Sequence, residues 1–326
     1  MTRLFRDAIG GPLCPQGSVV CIGAFDGLHL GHQALANRAA TRAREAGIAA
    51  AAISFEPLPR EFFSRDNRPP RLMLPRAKIC GLTELGMQAV ALLRFNGEMA
   101  ALSPQAFVER VLVQRLRARE VWVGPDFRFG HRRAGDIGTL RELGRQHGFD
   151  AHELPPVHLH GERVSSTRIR TALAAGEFAL AAQLLGRPYA IDGRVVRGRQ
   201  LGRSLGFPTA NLRYGHYTPS LRGIYATWVH GVGAEPWPSV SSFGTRPTVG
   251  GGEPLLEAHL FDFDGDLYGR RIAVEFVAHL RDESKFADLH ALTEQMQRDA
   301  EQARAVLASA ACNRLSLHSL SQRATA

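Results

Sequence analysis

An α/β domain followed by a small antiparallel β-barrel with a terminal helix is the fold class predicted by this 326-residue sequence. Up to Gly186, apolar runs alternate with amphipathic segments, the pattern of a parallel sheet covered by helices. Past Gly186-Arg187-Pro188 the segments shorten and Gly, Pro and Asp turns separate them, as in a small barrel. The length also suits two domains, each large enough for its own core. The predicted boundaries are 1–186 and 187–312, with 313–326 a frayed tail of little periodicity.

The elements follow in order. In the first domain, β-branched and apolar runs predict strands at Val19–Phe25, Ile48–Phe55, Ala89–Phe95, Glu120–Gly124 and Phe149–Leu154. Helical spacing predicts Gln33–Ala46, closed by Gly47, and then Arg76–Leu85, Pro104–Leu116 and Ile137–His147. Ser103 is placed to cap the third of these, with Pro104 at its first position. A further helix runs from Ser166 to Ala175, with Gly176 as its stop. In the second domain the strands include Tyr189–Arg197, Ile224–Val229, Leu255–Phe261 and Ile272–Leu280, and the pattern over Leu289–Leu307 is helical. Asp264-Gly265-Asp266 reads as a hairpin turn. The neighbouring Asp262 does not make it a calcium loop, because the required Glu and the flanking helices are missing from the pattern.

Gly23-Ala24-Phe25-Asp26-Gly27-Leu28-His29-Leu30-Gly31-His32 joins the first of these strands to a helix. Its glycines permit a tight turn and close approach to a ligand, and the helix start offers free N–H groups and a positive dipole end to an anion. His29 and His32, three apart, can face one phosphate and meet charge that develops at an attacked α-phosphorus. By themselves these residues also fit a glycine turn with two solvated histidines. Arg163-Val164-Ser165-Ser166-Thr167-Arg168-Ile169-Arg170 gathers hydroxyls and guanidiniums at another helix start, a setting suited to phosphates. Farther on, Gly198, Gly202 and Gly206 make a flexible flap ahead of Pro208-Thr209-Ala210-Asn211, where Thr209 and Asn211 offer oxygens on one side of an extended segment. Hard oxygens of this kind suit Mg²⁺ together with ATP phosphates.

The first motif is similar to the H-x-G-H element of the adenylyl- and cytidylyltransferase superfamily, and its longer form G-x-F-D-G-x-H-x-G-H resembles the FAD synthetase branch. The Arg163–Arg170 stretch resembles that branch's R-x-S-S-T-x-I-R signature. Residues Ile191 to Asn211 resemble the riboflavin kinase module, as do Gly244-Thr245-Arg246-Pro247-Thr248 and the E-x-H strand Glu257-Ala258-His259. On this basis the chain is identified as a member of the bacterial bifunctional riboflavin kinase/FAD synthetase family. The resemblance implies a Rossmann-like nucleotidyltransferase domain and a riboflavin kinase barrel. It also implies riboflavin, FMN and ATP as substrates, FMN and FAD as products, and Mg²⁺ as the metal.

The roles implied for single residues follow from the same resemblance. His29 and His32 act on the α-phosphate; Gly23, Phe25, Asp26, Gly31, Asp126, Arg163, Ser165, Ser166, Thr167 and Arg168 hold ATP in the adenylyltransferase. Gly198, Gly202, Gly206, Pro208, Thr209 and Asn211 hold ATP in the kinase, with Thr209 and Asn211 as metal ligands. Glu257 is the kinase base and Arg281 lies near the flavin. Asp126-Phe127-Arg128-Phe129-Gly130 resembles an element lining the first cleft. Ala24, Leu30 and Ser242 stand where the family often has Asn, Arg and Asn.

Composition adds bounds. The net charge is +9, yet the 40 basic residues include only Lys78 and Lys285 as lysines, and no basic stripe with interleaved aromatics appears. Small anionic ligands therefore fit the charge better than nucleic acid. Cys14, Cys21, Cys80 and Cys312 lack metal-site or disulfide spacing, and no leader or membrane-length apolar stretch is evident, so a cytoplasmic protein is expected. Oligomeric state is not legible. Two other classes stay open from the residues alone: a single-activity nucleotidyltransferase of another substrate with a non-catalytic flavin-binding barrel, and a non-catalytic flavin-binding or nucleic-acid-binding module.

Overall fold

The computed structural model describes residues 2–7, 10–64, 67–198, 202, 205–245 and 253–323, with residue 245 and residues 311–323 described by backbone alone. The chain divides into two compact units. One comprises Met1–Pro69, Pro75–Arg168 and Leu184–Gly186, the other Pro70–Leu74, Ile169–Gln183 and Arg187–Ala326.

The first unit carries β1 (Arg3–Phe5), β2 (Ser18–Ile22), α1 (Leu30–Glu45), β3 (Ala49–Glu56), α2 (Pro59–Phe63), α3 (Pro75–Glu84) and β4 (Ala89–Arg94). There follow α4 (Gly97–Ala100), α5 (Pro104–Phe107), β5 (Ala118–Val123), α6 (Ile137–His147), β6 (Asp150–Glu153) and the short pair β7 (His158–Leu159) and β8 (Glu162–Arg163). Six strands form a parallel sheet in the order β1-β4-β3-β2-β5-β6. All five residues of the central β2 are buried, as a strand covered on both faces requires, and the run Ser18-Val19-Val20-Cys21-Ile22 meets that demand almost without polar atoms. The one exception, Ser18, spends its hydroxyl on the Leu116 carbonyl at 2.6 Å. Val20, Ile22, Ile53, Leu93, Leu112 and Val121 belong to one core cluster beneath the sheet.

Each of the five predicted strands of this unit has a counterpart, and β1 is an addition at the sheet edge. α1 begins three residues earlier than its pattern suggested, because His29 caps it. Ser103 accepts from the Ala106 N–H as expected, but only Pro104–Phe107 is α-helical; Val108–Arg115 continues as a π-helix. Asp136 caps α6, and Gly148 closes it in the left-handed region.

The chain continues through α7 (Ser166–Ala174) and α8 (Phe178–Leu185) to β9 (Ala190–Val196), β10 (Ala210–Arg213), β11 (Gly223–His230), β12 (Trp237–Thr245), β13 (Pro254–Leu260), β14 (Arg271–Arg281) and α9 (Leu289–Arg323). The six strands close an antiparallel barrel in the order β10-β13-β12-β11-β14-β9. Along β13 the burial alternates, with Leu256, Ala258 and Leu260 buried and Leu255, Glu257 and His259 partly open. α9 covers the barrel through Ala303 and Leu307, which cluster with Ala226 and Phe261. Pro70–Leu74 belongs to this unit because the Arg71 carbonyl accepts from Tyr214 and Ser220 hydroxyls at 2.6 and 2.7 Å, and its N–H donates to Thr218 at 2.8 Å.

Asp264-Gly265-Asp266 is no hairpin turn: β13 and β14 are separated in the barrel by β12 and β11, so the segment crosses over non-adjacent strands. Its local turn chemistry is real, with Asp266 accepting from the Tyr268 N–H at 2.8 Å. The terminal helix also does not stop near Leu307 but runs to Arg323, into the stretch expected to fray. Leu315, Leu317, Leu320, Arg314 and Arg323 in that stretch are good helix formers, and a helix already begun needs no periodic apolar face to continue.

Candidate functional site

In the first unit the strand order places a reversal at β2. The chain runs from β2 through β3 to β4 on one side, then to β5 and β6 on the other. A crevice at the carboxyl ends of strands at such a switch point is where open α/β sheets bind ligands. A cleft of ≈ 220 Å³ lies there, lined by Gly23, His29, Gly31 and His32 after β2, by Gly124, Pro125 and Phe127 after β5, and by Leu154–Val157 after β6. Arg163, Val164 and Ser165 complete it.

The turn that delivers the histidines is held in an uncommon shape. Phe25 and Leu28 have φ of +49° and +46°, a region that bulky residues avoid, and both side chains are buried. Three polar contacts support the strained main chain. Ser166 donates to the Asp26 carbonyl at 2.9 Å, Ser54 donates to the Ala24 carbonyl at 3.0 Å, and the buried Lys78 ammonium donates to Ser54 at 3.2 Å. Lys78 belongs to no motif, although as one of two lysines in so arginine-rich a chain it stands out.

His29 and His32 stack with ring centroids 3.7 Å apart at an interplanar angle of 16°. His29 Nδ1 accepts from the His32 backbone N–H at 3.3 Å. In the neutral ring the proton then sits on Nε2. Gly31 packs closely here: a Cβ would lie 3.2 Å from His29 Cε1, and the ring would have to give way by a few tenths of an ångström. Burial holds the His32 imidazole well below its usual 6.5, helped by the positive charges of His29 and Lys78. Its Nδ1 is buried with no hydrogen-bond partner.

A pH dependence follows. The unfolded His32 binds a proton below about pH 6.5 whereas the folded one does so only at much lower pH, so stability is full above 6.5 and falls as pH drops, by up to about 1.4 kcal/mol per unit. Denaturant midpoints measured between about pH 6.5 and 5 should slope less in His32→Gln than in the parent; equal slopes would show that His32 titrates normally.

The other sequence-assigned residues of this unit separate into two groups. Arg163 reaches the cleft and pairs with the exposed Asp126 at 2.7 Å. Ser165 lines the cleft and accepts from the Arg168 N–H at 3.2 Å. Phe25, Asp26 and Ser166 stand behind it as support of the turn, with Thr167 exposed at the start of α7. The Arg168 guanidinium turns away, to the Leu159 carbonyl at 2.9 Å and to Glu162 at 3.0 Å, tying down the β7–β8 hairpin.

In the second unit the barrel register does the assembling. Asn211 pairs with Glu257 across β10 and β13, and Glu257 pairs with Ser242 across β13 and β12. Directly opposed residues point the same way, so these three share the outer face of the wall. Asn211 is 4 % exposed; its Nδ2 donates to the Thr209 carbonyl at 3.1 Å, and its Oδ1 is left buried without a partner. Gly198 lies against that amide, where a Cβ would come 2.9 Å from Oδ1. An orphaned acceptor beside a bare α-carbon fits a hard cation. His259 is held by the Pro208 carbonyl at 2.8 Å, which anchors the strand entry before Thr209. Gly202 and Gly206 frame the turn over 205–206, while much of the flap and the 246–252 segment lie outside the described residues. Arg281 forms a two-pronged pair with the buried Asp299 of α9, at 2.8 and 2.6 Å, so its charge is already matched within the protein.

A FAD synthetase family model matches residues 12–168 and a riboflavin kinase model residues 185–307. Over 297 residues, 91 % of this chain and 95 % of the relative, the sequence is 45 % identical to the bifunctional riboflavin kinase/FMN adenylyltransferase of Pseudomonas fluorescens. The chain belongs to the bifunctional riboflavin kinase/FMN adenylyltransferase family. The member from Escherichia coli K12 is 44 % identical over 89 % of this chain and 92 % of its own. A crystal structure described as a macrolide-efflux protein of Streptococcus pneumoniae shares the fold, with a TM-score of 0.73 and 29 % identity over 93 % of this chain and 98 % of that one. Among the described residues of this family member, no helix is long and apolar enough to cross a membrane.

Proposed function

We propose that the barrel transfers the γ-phosphoryl group of ATP to riboflavin, giving FMN and ADP, and that the α/β unit then transfers the adenylyl group of a second ATP to FMN, giving FAD and pyrophosphate. The observation that carries this reading is the division of labour: an anion cradle with stacked histidines in one unit, and a carboxylate beside an orphaned amide oxygen in the other.

In adenylyl transfer a phosphate oxygen of FMN attacks the α-phosphorus and pyrophosphate leaves, so no protein nucleophile is needed. Negative charge grows on the α-phosphoryl oxygens, and His29 Nε2–H at the start of α1 is a fixed donor for it. His32, kept neutral by burial, holds the His29 ring in place by stacking. Arg163 and Ser165 are assigned to the leaving phosphates.

In phosphoryl transfer Glu257 accepts the proton of the attacking riboflavin hydroxyl as its oxygen bonds to the γ-phosphorus and the bond from that phosphorus to the ADP oxygen breaks. Thr209 and Asn211 would hold Mg²⁺, which supplies charge neutralisation to the ATP phosphates. Arg281, matched by Asp299, serves this site by fixing the wall beside α9. We place the enzyme in the cytoplasm, with small molecules as its partners; the buried thiols of Cys14 and Cys21 and the exposed one of Cys80 are free.

Incubation with riboflavin, ATP and Mg²⁺ followed by separation of products tests the reading: FMN and FAD should both appear, and FMN alone would remove the adenylyltransferase half. A finer test concerns the metal. Thr209→Ala deletes an oxygen ligand whereas Asn211→Asp keeps one, so the Mg²⁺ concentration for half-maximal FMN formation should rise more in the first. The reverse order would remove Thr209 from the shell.

A further inference from the structure

The kinase row can be followed beyond Glu257. Ser242 pairs with Ile224 across β12 and β11, and Ile224 with Arg281 across β11 and β14, so Asn211, Glu257, Ser242 and Arg281 stand at one level of the wall. β12 and β14 both run antiparallel to β11 between them, so they leave this level in the same direction. Gly244 lies two residues past Ser242, and Glu283 two residues past Arg281. The Glu283 side chain crosses the start of β11 and sets its carboxylate against the main chain of Gly244, where a Cβ would overlap it. Only glycine permits that approach.

Glu283 is exposed as a residue, yet its carboxyl end is partly withdrawn from water; this raises its proton affinity, Arg222 and Arg281 oppose the rise, and Glu257 adds to it. Two of the neighbouring charged groups are engaged elsewhere. His279 faces Asp282 at 3.3 Å, and Arg281 is matched by Asp299. Among the described residues Glu283 itself makes no hydrogen bond or ion pair. A second carboxylate within electrostatic reach of the first, lying against a bare α-carbon with its oxygens open, is an arrangement that costs stability and that functional sites retain.

We infer that Glu283 is a specificity-determining residue of the kinase site, a second carboxylate whose open oxygens accept hydrogen bonds from the hydroxyl-bearing chain of the flavin substrate. Glu257 takes the proton of the hydroxyl that reacts; Glu283 takes no proton and reads the hydroxyls that do not. The inference rests on the kinase reading above.

The test compares the full-length parent with Glu283→Gln and, as an independent displacement of the same carboxylate, Gly244→Ala. Hydrogen bonds to a charged acceptor are worth about 1.5–3 kcal/mol, so KM for riboflavin should rise about 10- to 100-fold in Glu283→Gln, with KM for ATP unchanged. Lumiflavin, which has the ring system and no hydroxyl chain, should bind parent and variant equally by fluorescence quenching, whereas riboflavin should not. Glu283→Asp should recover part of the loss. A parent-like riboflavin KM in Glu283→Gln, or an equal loss of lumiflavin binding, would overturn the inference. If instead the parent phosphorylates no riboflavin, it is the kinase reading that fails.

Discussion

His29→Ala should lower FAD formation from FMN by about 10²–10³ and leave phosphorylation of riboflavin at the parent rate, because a single preorganised donor to transition-state charge is worth that much. His32→Ala should do the same through a different cause. Its ring is stacked on His29 at 3.7 Å with Nδ1 buried, so its removal frees the donor from its geometry. The two losses should not multiply: the double variant should fall little below either single one, since residues acting as one unit are not additive. Product analysis with supplied FMN measures this, and a melting curve confirms folding. Equal collapse of FMN production in a folded His29→Ala variant would mean that the two units do not hold separate sites.

Glu257→Gln should reduce FMN formation by a factor on the order of 10²–10⁴, the usual contribution of a positioned base. The amide keeps the size of the side chain and its place opposite Asn211 and Ser242, but cannot take the proton. KM for ATP should stay nearly constant, and supplied FMN should still become FAD, because the histidine cleft lies in the other unit. Parent-rate phosphorylation by this variant would place the base elsewhere.

Much of the first site was legible because it is local. The strand, the glycine turn, both histidines and the helix that follows are contiguous from Ser18 to Glu45. The periodicity of the apolar residues also marked most strands of both units to within a few residues. What it missed has physical reasons. β12 contains Pro238 and the serines 239, 241 and 242, which no apolar alternation would mark as a strand. Ser239 and Ser241 are nevertheless buried, each 2.7 Å from the Thr227 hydroxyl on the neighbouring strand, so a cross-strand partner makes their burial tolerable.

The same contrast divides the site residues. From the sequence by itself came residue chemistry: imidazoles at a helix start, hydroxyl and amide oxygens two apart, a carboxylate in a strand. Side chains that are neighbours along the chain owe their proximity to backbone geometry alone. Only the tertiary structure decided which distant groups meet. Barrel register set Asn211 against Glu257, 46 positions apart along the chain, and the sheet order put the histidines at the switch point. It also diverted two arginines whose motifs pointed elsewhere, Arg168 to Glu162 and Arg281 to Asp299. A guanidinium settles on the carboxylate that folding brings within reach, and strand order and register determine which one that is.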